Sequence, residues 1–123
     1  KVAGYEANLL FDNVEEINGT KVLIAGFKGK EAGGLREIVD KAKDKLGDCV
    51  VVLGTDNGKA VFAVGVTKGL MGKIKAGDLV REIAKIADGN GGGRPDFAQA
   101  GGKNGNKVSE ALEKARTILV EKL

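Results

Sequence analysis

The residues of this chain best suited to chemistry lie together, in Gly91-Gly92-Gly93-Arg94-Pro95-Asp96-Phe97-Ala98-Gln99-Ala100-Gly101-Gly102-Lys103. Glycine has no Cβ, so a run of it lets backbone N–H groups come close to a ligand, and successive amides can form a concave nest for an anion. The guanidinium of Arg94 is a planar fork that matches phosphate oxygens, and Lys103 and Lys107 add point charges nearby. The N-terminus of a helix following the string would reinforce such a nest with its dipole. Together these features describe a phosphate or polyanion cradle. A plainer reading stands beside it: a glycine-rich turn packed against the domain's own sheet, with Arg94 braced by Asp96 or Asp88 and Gln99 bonded to loop backbone. Spacing does not choose between them. The G-x-G-x-x-G fingerprint is absent, because Arg94 occupies the last glycine place counted from Gly89.

Other chemistries are excluded or weak. The chain contains no histidine, which removes histidine triads and imidazole metal sites. Gly54-Thr55-Asp56-Asn57-Gly58-Lys59 fails as a nucleotide-binding P-loop, since it is one residue short and Ala60 stands where a magnesium-binding Ser or Thr is needed. The lone Cys49 cannot form an internal disulfide and opens the apolar run Cys49–Leu53, so it reads as a small core residue in a reducing, cytoplasmic setting. No catalytic residue, metal site or cofactor is expected in this chain.

Charge points back to the glycine string. Of twenty Lys/Arg and seventeen Asp/Glu, residues 68–107 hold eight and four, whereas residues 1–67 hold nine and ten. The positive excess therefore sits around the glycines, in Lys68, Lys73, Lys75, Arg94, Lys103 and Lys107, where it favours an anionic partner. Aromatic rings are few, four Phe and one Tyr with no Trp. A platform that stacks single-stranded bases needs exposed rings, whereas backbone recognition of structured RNA needs cations and close-approaching glycines. No apolar stretch approaches the ~20 residues of a membrane span, so no membrane partner is expected.

The elements that must position these residues follow from periodicity. Tyr5, Leu9, Leu10 and Val14 suggest a helix over 3–16, stopped at Asn18-Gly19. Lys21–Phe27 reads as a buried strand. Leu35, Ile38, Val39, Ala42 and Leu46 mark an amphipathic helix closed by Gly47. Cys49–Leu53 and Ala60–Val66 read as a hairpin, a helix runs from about Asp78 to Ala87, and Val108–Leu123 forms a last helix capped by Asn106 or Ser109. Residues 88–106 read as a long loop of the kind that is usually functional. The expectation is an α/β (α+β) fold in one small domain, a short mixed sheet covered by helices, in the order α-β-α-β-β-α-glycine-rich loop-α. Residues 1–18 form an N-terminal helix or link to a preceding helical region, and 19–123 the globular domain. Lys1 in place of methionine reads as the start of a piece of a longer protein.

The string Gly91–Gly102 closely resembles the signature of the C-terminal domain of alanyl-tRNA synthetases. Leu35-Arg36-x-x-Val39-Asp40, the Val50–Gly54 strand, Lys75-Ala76-Gly77-Asp78-Leu79-Val80 and Val108-x-x-Ala111-Leu112 match that family in order. The resemblance runs from about Val14 to the end. A related domain closes DHH-family phosphoesterases, where the glycine string continues with histidine and holds substrate; Arg94 in that place, in a chain without histidine, favours the synthetase branch.

The resemblance implies a non-catalytic domain that binds tRNA, at the outer corner of tRNA-Ala, and helps bring the charging and editing centres onto one molecule. It implies a parent enzyme that ligates alanine to tRNA using ATP with magnesium, with zinc in its editing region, and partners in the catalytic and editing domains of the same chain. A homodimer would form through the helical region that precedes this domain. The residues expected to carry the RNA contact are Gly91, Gly92, Gly93, Arg94, Gln99, Gly101, Gly102, Lys103, Lys107, Lys68, Lys73 and Lys75. A substrate-holding domain of a DHH-type phosphoesterase and a structural or dimerisation module remain the alternatives.

Overall fold

Asn18 and Gly19 set the first turn. In the computed structural model, which describes residues 14–29 and 32–123, they take positive φ values of 52° and 83°. This is the geometry with which Asn-Gly joins two antiparallel strands. Strand β1 (Glu15–Ile17) accordingly pairs with β2 (Thr20–Lys28), Ile17 opposite Thr20. The helix expected over 3–16, and with it most of the 1–18 segment, lies outside the described residues. Its described end is strand, because Asn-Gly builds a hairpin here instead of closing a helix.

Helix α1 (Ala32–Leu46) carries the chain over the sheet from β2 to β3 (Cys49–Asp56), and these two strands are parallel. Gly47, at φ 74°, ends the helix and donates to the Lys43 carbonyl at 3.2 Å, as expected of a residue in that position. Strand β4 (Ala60–Val66) returns antiparallel after a tight turn in which Gly58 N–H donates to the Asp56 carboxylate at 3.1 Å. After a single 3-10 turn at Lys68–Leu70, helix α2 (Ala76–Ile86) begins two residues earlier than its apolar stripe suggests. Its N-cap position is Lys75, with no side-chain cap, and the N–H of Ala76 is satisfied instead by the carbonyl of Pro95 at 2.9 Å.

Residues 88–106 are not an irregular loop. They contain β5 (Gly89–Gly93) and β6 (Phe97–Gly102), an antiparallel hairpin that completes a six-stranded sheet in the order β1-β2-β3-β4-β6-β5. Strand β6 pairs with β4, placing Gln99 opposite Ala63 and Ala98 opposite Val64. Glycine disfavours strands on its own account, so this hairpin owes its form to pairing with β4 and to packing on α2. Helix α3 (Val108–Lys122) follows, with Lys107 at its N-cap and neither Asn106 nor Ser109 capping it by side chain. The described order is thus β-β-α-β-β-α-β-β-α. The α/β class and the mixed sheet covered by helices are as expected.

Helix α1 lies on one face, where Leu35, Val39 and Ala42 pack with Leu23, Val51, Leu53 and Ala63. Helices α2 and α3 cover the other, where Leu79, Ile83, Ala111 and Leu119 pack with Val50, Val52, Phe62, Val64 and Ala98. Covered on both sides, β3 is buried from Cys49 to Thr55, which is why Cys49–Leu53 reads as a continuous apolar run and not as an alternating one. Each fully buried Val or Leu contributes about 1.5–3 kcal/mol.

Candidate nucleic-acid interface

The turn of the β5–β6 hairpin carries Arg94, and three elements hold it. Within the turn, Arg94 N–H donates to the Phe97 carbonyl at 3.0 Å. The first amide of α2, on Ala76, donates to Pro95, and the last amide of β4, on Val66, donates to Asp96, each at 2.9 Å. From α1, the ammonium of Lys43 donates to the same Asp96 carbonyl at 3.0 Å. Arg94 nevertheless leaves 71% of its side chain exposed, with Nε 3.4 Å from Oδ1 of Asp96. So exposed an ion pair contributes little to stability, and its effect is to orient a cation that the fold presents outward from a rigid base.

The expected binding residues divide between the two ends of this hairpin. Lys68, Lys73 and Lys75 are exposed on the segment that enters α2 beside the turn, at the end where Arg94 stands. Lys103 and Lys107 follow the far end of β6, roughly 20 Å along the strand. There Lys103 is exposed and Lys107 Nζ lies 3.8 Å from Glu110. The expected nest is corrected in the same way. The glycines form extended, paired strand, and the N-terminus of α3 lies at the hairpin's base, so its dipole does not reach Arg94.

The glycines themselves sort by what surrounds them. A Cβ on Gly91 or Gly93 would fall 2.5 Å and 2.9 Å from the Cα atoms of Ala100 and Ala98 across the ladder, and one on Gly102 would fall 2.5 Å from the Ala87 carbonyl. These three are required by the packing of the hairpin. At Gly92 and Gly101 the nearest neighbours, Nη2 of Arg81 and the Ala60 carbonyl, are 3.6 Å away, so there a side chain would fit and its absence leaves open surface. The hairpin's base is tied by Asn104, whose amide group donates to the carboxylate of Asp88 and whose N–H donates to Ala87 at 3.1 Å.

The structure adds cations that sequence reasoning passed over. Alternation along β6 sends Ala98 and Ala100 to the α2 face and Phe97, Gln99 and Gly101 to the α1 face. Helix α1 packs on β3 and β4, and from it Arg36 reaches Phe97, its guanidinium carbon 5.2 Å from the ring centroid. Arg81 of α2 pairs with Asp78 at 3.6 Å and reaches Gly92. Asp78 sits in the first turn of α2, with Lys75 at the N-cap position. Nothing in the helical spacing of α1 distinguishes Arg36 from its other charged residues; only the crossover between β2 and β3 brings it to the hairpin.

Known proteins match this arrangement. The model of the DHHA1 domain family matches residues 19–121. The alanine–tRNA ligase of Fusobacterium nucleatum subsp. nucleatum is 50% identical over 123 residues, which are 100% of this chain and 14% of that protein. That of Carboxydothermus hydrogenoformans is 52% identical over 114 residues, 92% of this chain and 13% of the relative. The chain therefore spans about one-seventh of the length of these curated relatives. The crystal structure of the C-Ala domain from Aquifex aeolicus alanyl-tRNA synthetase superposes with a TM-score of 0.80 at 31% identity, over 88% of this chain and 98% of that one. The chain belongs to the DHHA1 domain family and, within it, to the C-terminal domains of alanyl-tRNA synthetases.

Proposed function

We propose that this domain is the tRNA-binding module of an alanine–tRNA ligase, gripping the sugar-phosphate backbone at the outer corner of tRNA-Ala while charging and editing proceed in other domains of the parent chain. The observation that carries the reading is the presentation of Arg94, 71% exposed on a turn held by α1, α2 and β4. A cation on a rigid base loses little conformational freedom when it meets a phosphate. The exposed Lys68, Lys73 and Lys75 beside it extend the positive surface, and the open backbone at Gly92 and Gly101 lets a polymer lie close.

The same reading places the protein in the cytoplasm, and assigns pairing of two chains to the helical region before this domain. Among the described residues no helix is long and apolar enough to cross a membrane. The parent enzyme's ATP, magnesium and zinc would be held elsewhere. This chain lacks histidine, and its described residues offer no group of three or more His, Cys, Asp or Glu placed to hold a metal.

Binding of a tRNA-Ala transcript, followed by anisotropy between about 50 and 200 mM salt, tests the proposal. Affinity falls steeply and linearly on a log–log plot, and Arg94→Ala weakens binding while lowering the slope by about one unit. A flat salt dependence overturns the electrostatic reading. Unchanged binding in Arg94→Ala and Lys103→Ala, together with self-association in ultracentrifugation, assigns the domain a structural role instead.

A further inference from the structure

Arg36 and Phe97 form a mixed surface that a phosphate does not need. Phe97 is half-buried, packed against the core beneath α1, and the guanidinium of the exposed Arg36 covers it at 5.2 Å. These two residues, with Gly92, Arg94 and Gln99, border a shallow, open depression of about 400 Å³. We propose that this depression receives one unstacked nucleobase of the bound RNA, stacked on the Arg36–Phe97 pair. The proposal rests on the tRNA-binding reading and names the part of the RNA that this corner of the domain recognises.

A phosphate is met edge-on by the in-plane N–H groups of a guanidinium and makes no contact with an aromatic ring behind it. A nucleobase is a flat, weakly polar ring that stacks on aromatic side chains and on guanidinium planes alike. The ring of Phe97 holds the guanidinium of Arg36 over the sheet, 5.2 Å from the ring centroid, before a base arrives. Gly92 contributes no side chain, and the space at its Cβ position is open to 3.6 Å. Arg94, on the rim, is placed to meet the phosphate that follows the base, so the two arginines serve different parts of one nucleotide. A sequence poor in aromatic residues argues against an extended stacking platform. It does not argue against a single base, for which one ring and one guanidinium suffice.

The experiment compares wild type, Arg36→Lys and Phe97→Leu on two probes: the tRNA-Ala transcript, which has unstacked bases, and a blunt RNA duplex of equal length, which has none. Thermal melting first establishes that each variant folds. Arg36→Lys keeps the charge and loses the plane, so the expected result is about tenfold weaker binding to tRNA with an unchanged salt slope and unchanged binding to the duplex. Phe97→Leu, which keeps apolar volume and removes the ring, shows the same pattern. If Arg36→Lys binds both probes as wild type does, or loses equally on both, the base pocket is overturned while the backbone reading stands. If the wild-type chain binds neither probe, the reading beneath it fails as well.

Discussion

The ammonium of Lys43 donates a hydrogen bond to the backbone carbonyl of Asp96 at 3.0 Å, and this contact ties helix α1 to the turn that presents Arg94. The stem of Lys43 lies over Gly65, its Cε 3.1 Å from where a Cβ would stand. Lys43→Met keeps that stem and removes only the donor. The Asp96 carbonyl still accepts from Val66, so no buried acceptor is orphaned. The loss should fall near the low end for a charged hydrogen bond, about 1.5 kcal/mol in urea unfolding with an unchanged m value. Binding of tRNA should weaken a few-fold, because Arg94 then rests on a looser turn. Equal stability and equal binding in the variant would show that Lys43 is not a strut.

Two glycines in different surroundings should respond differently to alanine. A Cβ on Gly77 would lie 2.9 Å from the Gly93 carbonyl and 3.4 Å from its nitrogen. Backbone would have to move, and α2 would be pushed off β5. Gly77→Ala is expected to cost about 1–3 kcal/mol despite alanine's better helix propensity. Gly101 has only the Ala60 carbonyl near, at 3.6 Å, so Gly101→Ala should change stability by less than about 0.5 kcal/mol. If Gly101→Ala weakens tRNA binding at unchanged stability, that glycine serves the approach of RNA; if it leaves binding intact, RNA does not lie close there.

How much of this was legible beforehand depends on where each feature gets its structure. Helix α1 and helix α3 carry their own apolar stripes, and β3 announces itself because both its faces are covered. The hairpin β5–β6 does not. Gly89-Asn90-Gly91-Gly92-Gly93 has no apolar alternation, and it is a strand only because β6 lies between it and β4. The dipeptide Asn18-Gly19 signals a hairpin turn, while the helical spacing upstream of it points to a helix. For the candidate site, the string and Arg94 could be read directly, whereas Arg36 and Lys43 could not. Their partners Phe97 and Asp96 lie far along the chain, and a parallel crossover brings them together.

Arg116 of α3 reaches Glu15 of β1 at 2.5 Å and Glu113 at 3.0 Å, which holds its pKa above the ordinary arginine value, chiefly through the hydrogen bond to Glu15. The pair fastens the sheet's outer strand to the last helix. Both side chains are more than one-third exposed, so solvent screening limits the contribution. A double-mutant cycle on Glu15→Gln and Arg116→Met should give a coupling of about 0.5–1 kcal/mol that shrinks in high salt. A coupling above about 2 kcal/mol would mean that β1 and α3 form a desolvated pair and not a surface clasp.

Burial of Cys49 makes stability depend on pH on the alkaline side. The thiol is fully buried at the head of β3, beside the Ala42 carbonyl at 3.9 Å, and burial pushes its pKa up from 9.0 to about 11, against partial relief from Lys43. A raised folded-state pKa means that the unfolded chain releases its thiol proton first, so the stability this group supplies is complete below pH 9.0 and is lost as pH rises toward 11. Unfolding free energies of wild type and Cys49→Ala, measured at several pH values, isolate the effect because the lysines are common to both. The advantage of wild type should shrink by about 1–2 kcal/mol between pH 8.5 and 10.5. Thiol-specific reagents should label Cys49 only as fast as the domain opens. Parallel pH curves for the two proteins, or labelling faster than opening, would place the thiol in contact with solvent and remove this account.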